Sequence, residues 1–402
     1  MDNIVVQKYG GTSVGTPERI KNVARRVIAT KEAGNKVVVV VSAMGKSTDH
    51  LVDLAREVNI NPSSREMDML LSSGEQVSIA MLAMAIGGLG HDAISLTGPQ
   101  CGVKTTSYHR NARITEIQNE RLLSELEAHG IVVVAGFQGM NEECDITTLG
   151  RGGSDTSAVA LACALGADKC EIYTDVDGVY TTDPRKVPEA KKIDRISYDE
   201  MLELASLGAG VLHPRSVELA RKNNMKLIVR SSLNENPGTE VVEVSALEKA
   251  IVSGVTMDEN IVKISVLEVP DRPGIAFKLF SALAANNVFF DMIIQNVTQK
   301  NVNDITFTVK SDDLQDALAV TSKVSEELGA TKVVYDEDVV KVSIVGTGIA
   351  GSADIASAFF QTLSDLGINI QMISTAEIKI SCIIEKEKGE EALKALHHKF
   401  CE

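Results

Sequence analysis

The sequence lacks tryptophan and is poor in aromatic residues, which make up 4% of its 402 positions. A surface that stacks nucleic-acid bases needs aromatic side chains together with positive charge. This chain instead carries a formal net charge of −15. We therefore expect neither a nucleic-acid partner nor an anionic membrane surface as its target.

Long apolar runs and paired cysteines are also missing. No apolar run approaches the roughly 18 residues that span a bilayer, and the N-terminus has no features of a signal peptide. The six cysteines form no C-x-x-C pair, and several lie in apolar contexts. We expect small core residues in a reducing cytoplasm, with no disulfides, no zinc ligands and no membrane partner.

Residues 1 to about 240 alternate short apolar runs with helical patterns. The all-apolar runs at 37–41 and 131–135 indicate strands buried on both faces. Glycine-rich turns follow such strands and lead into helices, which predicts an α/β domain with a parallel sheet between helices, in three layers. Ligands of such sheets lie beyond the carboxyl ends of the strands. We expect further helices at residues 65–86, 111–128 and 154–166.

The remainder of the chain contains an internal repeat. Phe280-x-x-Leu283 aligns with Phe360-x-x-Leu363 at an offset of 80 residues. Each copy follows the order βαββαβ of a ferredoxin-like domain. With the pattern breaking near residues 234–238, we place three domains at residues 1–245, 262–336 and 340–402, and the first boundary at about 240–260.

The first glycine-rich turn is Lys8-Tyr9-Gly10-Gly11-Thr12-Ser13-Val14, which follows an apolar run. Glycines let backbone N–H groups approach an anion, and a lysine adds a compact positive charge. The P-loop pattern G-x-x-x-x-G-K-[S/T] is absent from the chain. The turn is therefore either a phosphate site of another type or a plain strand-to-helix turn.

A second glycine-rich turn, TTLGRGGSDTS at residues 147–157, leads into a helix. Free N–H groups and the helix dipole together favour an anion there. Arg151 can hold a carboxylate with two hydrogen bonds. Asp155 either serves this site or only complements the helix dipole.

Three further clusters are candidates for binding chemistry. YTDVDGVYTTDPR at residues 173–185 either cradles an adenine and ribose, with Arg185 on phosphate, or forms an ordinary Asp-Gly turn. Glu75, beside Gly74 in an apolar helix, either holds an ammonium group or is a solvated helix residue. SAMGKST at residues 42–48 places hydroxyls at the tip of the central strand.

Two other features are interpreted as unrelated to ligands. Residues 346–351 match the dinucleotide pattern G-x-G-x-x-G, but only some 50 residues follow and the segment lies inside the repeat. His213, His397 and His398 show no metal-ligand spacing. We interpret His213 as a helix-start residue and the other two as surface residues, and we expect no metal site built by the protein alone.

The ordered motifs together resemble aspartate kinase (aspartokinase), a family of the amino-acid-kinase superfamily. The resemblance rests on KYGGTSV at 8–14, SAMG at 42–45, GE at 74–75, TTLGRGGSD at 147–155 and YTDVDGVYTTDPR at 173–185. The C-terminal repeat is similar to the tandem ACT domains of that family. Since no homoserine-dehydrogenase extension follows Glu402, we expect the monofunctional form.

This resemblance implies ATP- and Mg²⁺-dependent phosphorylation of L-aspartate to 4-phospho-L-aspartate, the first step of lysine, threonine and methionine biosynthesis. It implies Lys8 and Asp155 as catalytic residues, with Lys8 stabilising the transferring phosphoryl group. The nucleotide-binding residues it implies are Lys8, Gly10, Gly11, Ser42, Thr174, Asp175, Tyr180, Asp183 and Arg185. The aspartate-binding residues it implies are Thr12, Ser47, Glu75, Arg151, Gly152 and Ser154, with Glu75 on the ammonium and Arg151 on the α-carboxylate.

The resemblance also implies feedback inhibition by lysine and/or threonine at the ACT domains, which would assemble the chain into a dimer or tetramer. The effector-binding residues it implies are Asp271, Gly274, Ala276, Asp291, Gln295, Asn369 and Ile370. Asp271 and Asp291 are candidates for the ammonium of a lysine effector, although Asp291 also fits an ordinary strand-edge charge. The sequence does not specify the effector or the number of subunits.

One position departs from the family pattern, because Gly210 stands where many relatives have a lysine that reaches the nucleotide. Either Lys226 or Arg230 replaces that contact, or it is absent. Two alternative functions remain. A kinase for glutamate, N-acetylglutamate or UMP is disfavoured by the ACT repeat and by Gly74-Glu75, and a non-catalytic amino-acid sensor is disfavoured by the intact catalytic motifs.

Overall fold

The computed structural model describes residues 3–208, 210–243, 251–297, 302–349 and 351–401. Residues 244–250 of the expected first boundary and residue 350 of the glycine motif at 346–351 lie outside the described residues. The described residues form two compact units. The first unit draws on residues 1–180, 192–206 and 210–245, and the second on residues 181–191, 207–209 and 246–402.

The elements of the first unit alternate as the sequence predicted. Its helices are α1 (Pro17–Glu32), α2 (Ser47–Val58), α3 (Ser64–Gly88), α4 (Glu120–His129), α5 (Gly153–Leu165), α6 (Tyr198–Ser206) and α7 (Pro214–Lys222). Its strands are β1 (Asn3–Tyr9), β2 (Asn35–Val41), β3 (Ile94–Leu96), β4 (Val103–Thr105), β5 (Ile114–Ile117), β6 (Ile131–Ala135), β7 (Gln138–Met140), β8 (Ile146–Thr148), β9 (Lys169–Thr174), β10 (Val179–Tyr180), β11 (Lys192–Ile193), β12 (Arg195–Ser197), β13 (Leu227–Ser231) and β14 (Thr239–Val242).

The main sheet has the strand order β12-β14-β13-β9-β1-β2-β6-β3. The valines of β2 and the apolar residues of β6 are buried, as their sequence predicted. Val37, Val39 and Val41 pack with α1 and α3, whereas α5 contacts β1, β2 and β9. Because side chains of a strand alternate between faces, this places helices on both sides of the sheet and gives the expected three layers.

The sheet is parallel from β13 to β3 but not throughout. β14 pairs antiparallel with β13, because the short connection at residues 232–238, where Gly238 has φ +84, leaves no room for the crossover that a parallel pair needs. β12 pairs parallel with β14 and shares its direction. The sheet is therefore parallel over six neighbouring strands, as predicted, and mixed at one edge.

The expected helix at residues 111–128 is wrong over its first half. Residues 114–117 instead form β5, and α4 begins only at Glu120. The sequence Ile-Thr-Glu-Ile alternates apolar and polar residues with the period of a strand, and it pairs with β4. β5, β4, β7 and β8 form a separate small sheet that sequence analysis missed.

The second unit contains the internal repeat as two sheets. Its elements are β15 (Ile251–Asp258), β16 (Ile261–Pro270), α8 (Ile275–Ala285), β17 (Phe290–Val297), β18 (Val302–Lys310), α9 (Leu314–Leu328), β19 (Lys332–Asp336), β20 (Val339–Thr347), α10 (Ala353–Asp365), β21 (Met372–Ala376), β22 (Lys379–Glu385) and α11 (Gly389–Cys401). The first copy forms the sheet β17-β18-β16-β19, which has the expected βαββαβ order.

The second copy takes its fourth strand from outside residues 340–402. Its sheet has the order β15-β20-β22-β21, and β15 precedes the first copy in the chain. Residues 389–401 form a helix, and β15 fills the remaining sheet edge by pairing antiparallel with β20. The two sheets meet through a shared apolar cluster that includes Met292 and Met372.

Among the described residues, α3 has the length and the apolar composition of a helix that could cross a membrane. Its buried residues include Asp68 and Glu75, and it packs against α1, α2 and β8. Buried carboxylates and close helix neighbours are the features of a core helix. We interpret α3 as a core helix of the first unit.

The histidines differ in how well their positions agree with the sequence analysis. His213 caps the start of α7 and His398 is exposed, as expected. His397 is wrong as a surface residue, because it is fully buried and its Nε2 lies 2.8 Å from Thr181 Oγ1. It follows Leu396 on the apolar face of α11. All six cysteines are free thiols.

Candidate active site

The candidate site begins where β1, β2 and β9 end at one edge of the main sheet. Lys8 pairs in register with Val40 of β2 and Ile172 of β9. Its Nζ lies 2.6 Å from Oδ1 of Asp155, which stands in the first turn of α5, and both side chains are about nine-tenths buried. The structure thus brings together two residues that lie far apart in the sequence, and Asp155 does more than complement a helix dipole.

The turn after β1 packs directly on the turn after β2. A Cβ at Gly11 would lie 2.7 Å from the carbonyl oxygen of Ala43, so only glycine fits there. The N–H of Gly45 donates to Gly11 O at 3.0 Å. A Cβ at Gly10 would lie 3.5 Å from Lys8 Nζ. The first glycine-rich turn is therefore a close-packed wall beside the Lys8 ammonium rather than a loose strand-to-helix turn.

Glu75 reaches the same pair of turns from α3. Its Oε1 accepts a hydrogen bond from the N–H of Ala43 at 3.1 Å, and a Cβ at Gly74 would lie 2.9 Å from the Cβ of Ala43. The side chain is buried, which rules out the solvated alternative. Its Oε2 is buried and has no hydrogen-bond partner among the described residues. A buried carboxylate oxygen of this kind needs a proton or a cation.

The burial of Glu75 predicts how stability depends on pH. Burial raises the pKa of the Glu75 carboxyl from its ordinary value of 4.5 to about 7. The folded protein therefore retains a proton that the unfolded chain releases, so this contribution is full below pH 4.5 and is lost as the pH rises to 7. We expect the free energy of unfolding to fall by about 3 kcal/mol over that range relative to Glu75→Gln. Chemical denaturation of both full-length proteins tests this, and parallel pH profiles would contradict it.

The second glycine-rich turn connects β8 to α5. Gly150 and Gly152 both have positive φ, +76 and +67. A Cβ at Gly152 would lie 2.1 Å from the ring of His213, so the imidazole covers this glycine. Burial lowers the pKa of His213, and the Asp155 carboxylate opposes that shift. Sequence analysis missed this contact, since only the position of His213 before a proline marked it as a helix start.

The remaining residues of the expected aspartate site lie on these same turns. Ser154 is buried in the first turn of α5, and Arg151 is exposed just before it. Ser47 begins α2 and donates from Oγ to Met44 O at 2.6 Å. Thr12 is exposed in the turn after β1. The hydroxyls and the guanidinium therefore belong to the turns after β1, β2 and β8 or to the starts of the helices that follow them.

Ser42 and the residues after β9 lie next to the turn that follows β1. The N–H of Ser42 donates to Tyr9 O at 3.1 Å, and the N–H of Gly10 donates to Tyr173 O at 3.3 Å. Thr174 Oγ1 donates to the carboxylate of Asp175 at 3.0 Å. The end of β9 therefore joins the turn that carries Lys8.

Tyr180 is held by its own loop. Its hydroxyl donates to Asp177 at 2.6 Å, and this hydrogen bond raises the pKa of Tyr180 to about 12. Asp183 and Arg185 belong to the second unit. There the Arg185 guanidinium binds the Asp183 carboxylate through two nitrogens, which lowers the pKa of Asp183.

Gly210 and its suggested substitutes have clear local environments. Gly210 has φ +66, a conformation that a lysine at this position would adopt only with strain. Lys226 pairs with Glu240 at 2.6 Å. Arg230 lies 3.4 Å from Glu171 and over the ring of Tyr173. Both cations already have carboxylate partners, and the structure does not identify either as the replacement.

The expected effector residues lie in the second unit. Gly274 caps the start of α8 with φ +91, and the nearby Asp271 accepts a hydrogen bond from Asn303 at 2.9 Å. Asp291 forms an ion pair with the buried Lys341. Burial alone would raise the pKa of the Asp291 carboxyl. The Lys341 ammonium outweighs that effect and holds the pKa below its usual range.

The other expected effector residues occupy surface positions. Ala276 is exposed on α8, and Gln295 is exposed on β17 at the edge of its sheet. Asn369 and Ile370 line an open pocket in the second copy of the repeat, together with Phe360 and Ser364. The residues are therefore divided between the two copies.

Comparisons with known proteins identify the family. A model of the amino acid kinase family matches residues 3–231, and a model of the ACT domain matches residues 262–324 and 342–400. An aspartokinase of Corynebacterium efficiens is 51% identical over 403 residues, which cover 99% of this chain and 96% of that protein.

Two solved structures are similar over almost the whole chain. E. coli aspartokinase III in complex with aspartate and ADP, in the R-state, has a TM-score of 0.84 and 25% identity, covering 99% of this chain and 100% of that chain. The same enzyme in complex with lysine and aspartate, in the T-state, has a TM-score of 0.75 and 26% identity with the same coverage.

The chain belongs to the amino acid kinase family and carries C-terminal ACT domains. Within that family it is an aspartokinase, an allosterically regulated enzyme of amino-acid biosynthesis that phosphorylates aspartate and binds a nucleotide. The predicted family, fold class and activity are confirmed. The two alternatives, a kinase for another acid and a non-catalytic sensor, are not supported.

Proposed function

We propose that the first unit transfers the γ-phosphoryl group of ATP to the side-chain carboxylate of L-aspartate in the cleft between Lys8 and Glu75. The observation that carries this is a continuous path of contacts across the site. Lys8 adjoins Gly10, the neighbouring Gly11 packs on Ala43, and Ala43 donates its N–H to Glu75. Lys8, a cation suited to phosphate, and Glu75, a carboxylate suited to an ammonium, thus lie at opposite ends of the two packed turns.

Lys8 and Asp155 act at the reacting phosphoryl group. Phosphoryl transfer needs positioning and positive charge around the equatorial oxygens. The Lys8 ammonium supplies that charge, and Asp155 holds it in place through their ion pair. The acceptor is itself a carboxylate and already nucleophilic, so the reaction needs no general base.

Mg²⁺ fits this site as a partner of the nucleotide. Among residues 3–401, leaving aside those that the structure does not describe, no group of three His, Cys, Asp or Glu side chains could cage a metal. Mg²⁺ is commonly held by substrate phosphates with one or two carboxylates, and Asp155 is the carboxylate beside Lys8. When bound, the ion would neutralise charge on the phosphates.

The aspartate substrate is held at its α-amino acid end. Glu75 receives the ammonium at its unpartnered Oε2, and Arg151 receives the α-carboxylate. The side chains of Thr12 and Ser47, with Gly152 and Ser154 at the start of α5, complete the pocket. The E. coli relative was solved in complex with aspartate and ADP, which supports an aspartate site beside a nucleotide site in this fold.

The nucleotide occupies the adjoining loops. Gly10, Gly11 and Ser42 adjoin its phosphates. Thr174, Asp175 and Tyr180 complete the proposed nucleotide-binding set within the first unit. Asp183 and Arg185, which belong to the second unit, stay a prediction from the sequence resemblance.

The activity is tested by trapping the acyl phosphate as a hydroxamate with hydroxylamine. Purified protein receives ATP, Mg²⁺ and one acid at a time: L-aspartate, L-glutamate or N-acetyl-L-glutamate. We expect hydroxamate from L-aspartate only. Product from another acid but none from L-aspartate would overturn the assignment, and lysine or threonine binding without any turnover would indicate a sensor.

Regulation is proposed to act through the second unit, with lysine and/or threonine as effectors at the two copies of the repeat. The E. coli relative in complex with lysine and aspartate supports an amino-acid effector. Exposed edge strands such as β17 can pair between chains, which supports a dimer or tetramer. We also propose a cytoplasmic location and domains at residues 1–245, 262–336 and 340–402, with β15 completing the third.

Asp291→Ala is predicted to relax feedback inhibition without lowering the uninhibited kcat. The substitution removes the partner of the buried Lys341 and so disturbs the contact between the two copies. We expect the inhibition constants for lysine or threonine to rise by about fivefold, since an ion pair with a half-exposed partner contributes at most about 1 kcal/mol. Inhibition curves test this, with Asp316→Ala on α9 as a matched control. Unchanged inhibition constants would refute the role.

A further inference from the structure

Two backbone segments of the first unit, residues 109–112 and 148–150, lie against each other beside Arg151. The N–H of Ala112 donates to Thr148 O at 2.9 Å. A Cβ at Gly150 would lie 2.8 Å from the carbonyl oxygen of Arg110, so the segments touch through backbone atoms. Neither segment has a role in the proposed chemistry, yet one of them leads directly into the substrate-binding turn.

Asp68 of α3 binds both segments from one side. Its carboxylate is fully buried and accepts hydrogen bonds from Thr148, through N–H at 3.0 Å and Oγ1 at 2.6 Å. It also accepts from the N–H of Arg110 at 3.0 Å, and it lies 2.8 Å from Nδ1 of His109. One anion thus satisfies donors from both segments, and it holds Arg110 at a φ of +65, where a non-glycine residue is strained.

Arg215 of α7 binds the same two segments through their carbonyl groups. Its guanidinium donates to Leu149 O at 2.6 Å and to Ala112 O at 3.0 Å. The planar fork of an arginine suits two acceptors at fixed spacing. Asp68 accepts hydrogen bonds from the N–H groups of the two segments, and Arg215 donates hydrogen bonds to their carbonyl oxygens. We call this arrangement the clamp, since side chains of opposite charge hold the two segments together.

We propose that Asp68 and Arg215 are positioning residues that fix residues 148–150 and thereby aim Arg151 at the α-carboxylate of aspartate. The inference rests on the proposed role of Arg151. A glycine-rich turn would otherwise lose conformational freedom on binding, and pre-ordering it removes that cost from the substrate's affinity.

α3 then sets both ends of the amino-acid pocket. Asp68 and Glu75 are seven residues apart, which is about two helical turns and places them on one face. Glu75 meets the ammonium directly, and Asp68 acts on the α-carboxylate through the turn that carries Arg151. A single rigid helix therefore defines the spacing between the two groups that mark an α-amino acid.

A double-mutant cycle tests the proposal. Asp68→Asn keeps the size of the side chain but replaces one acceptor oxygen by an amide nitrogen. We expect the KM for aspartate to rise by about tenfold or more, with the KM for ATP and the kcat changed by less than about threefold. In an Arg151→Ala background the same substitution should raise the KM for aspartate by less than about twofold, because Arg151 carries the effect.

Two further variants make the outcome decisive. Arg215→Lys should give the same non-additive pattern, and it decides the question if Asp68→Asn does not fold. Glu66→Gln, an exposed carboxylate on the same helix, is the matched control and should leave both KM values unchanged. Thermal unfolding confirms that each variant is folded.

Each result has one meaning. A folded Asp68→Asn or Arg215→Lys with an unchanged KM for aspartate would overturn the clamp, as would an effect that simply adds to that of Arg151→Ala. If a variant lost active enzyme but kept both KM values, Asp68 and Arg215 would have a structural role only. That result would also overturn their proposed positioning role. If Arg151→Ala alone leaves the KM for aspartate unchanged, the proposed role of Arg151 fails, and the route through which the clamp acts fails with it.

Discussion

Lys8→Ala is expected to lower kcat by about 1,000-fold while leaving the KM for aspartate within several-fold of its original value. The Lys8 ammonium lies beside Gly10, and its proposed partner is the phosphoryl group rather than the ammonium or the α-carboxylate of aspartate. Its charge is needed most in the transition state, when negative charge spreads over the transferring phosphoryl group. The loss should therefore fall on the chemical step.

Steady-state kinetics with the hydroxamate assay measure this effect. Lys21→Ala, an exposed lysine on α1, is the matched control and should retain full activity. Lys8→Arg distinguishes position from charge, since a planar guanidinium cannot replace a point charge within the 2.6 Å contact to Asp155. A raised KM with kcat preserved would contradict the proposed role.

Glu75→Gln is expected to raise the KM for aspartate by about 100-fold and to leave the KM for ATP unchanged. A hydrogen bond to a charged group contributes about 1.5–3 kcal/mol, which corresponds to about 10- to 150-fold in affinity. The glutamine retains an acceptor for the N–H of Ala43, but it removes the negative charge that faces the ammonium.

Succinate, which lacks the ammonium, provides the internal control for Glu75. The original protein should bind aspartate far more tightly than succinate, and Glu75→Gln should remove most of that difference. Glu57→Gln, an exposed residue of α2, should leave the preference intact. If Glu75→Gln still prefers aspartate by the original ratio, another group binds the ammonium.

The parts of the fold that sequence analysis predicted correctly are those that local pattern determines. The runs at residues 37–41 and 131–135 are apolar without interruption, and both are interior strands of the main sheet. Residues 114–117 were misassigned because their pairing with β4 is not visible in a local helical pattern. β15 was unforeseen for a similar reason, since it completes a sheet whose other strands lie far later in the chain.

The candidate site shows the same division. Glycine-rich turns predicted Lys8 and Asp155, and the structure brings the two together. The burial of Glu75 and its unpartnered oxygen could not be known before the packing of α3 on Ala43. Asp68 and Arg215 act on residues 80 and 66 positions away, although the spacing of Asp68 and Glu75 on one helix face was a signal that could have suggested the former.

The most direct measurement is a crystal structure of the full chain with L-aspartate, Mg²⁺ and a non-hydrolysable ATP analogue. We expect the aspartate ammonium at Glu75 Oε2, its α-carboxylate on Arg151, and its side-chain carboxylate facing the γ-phosphate beside Lys8 Nζ, with all of these contacts at hydrogen-bond distance. A bound aspartate that leaves Glu75 Oε2 without a partner, or a γ-phosphate away from Lys8, would contradict the proposed roles of Glu75 and Lys8.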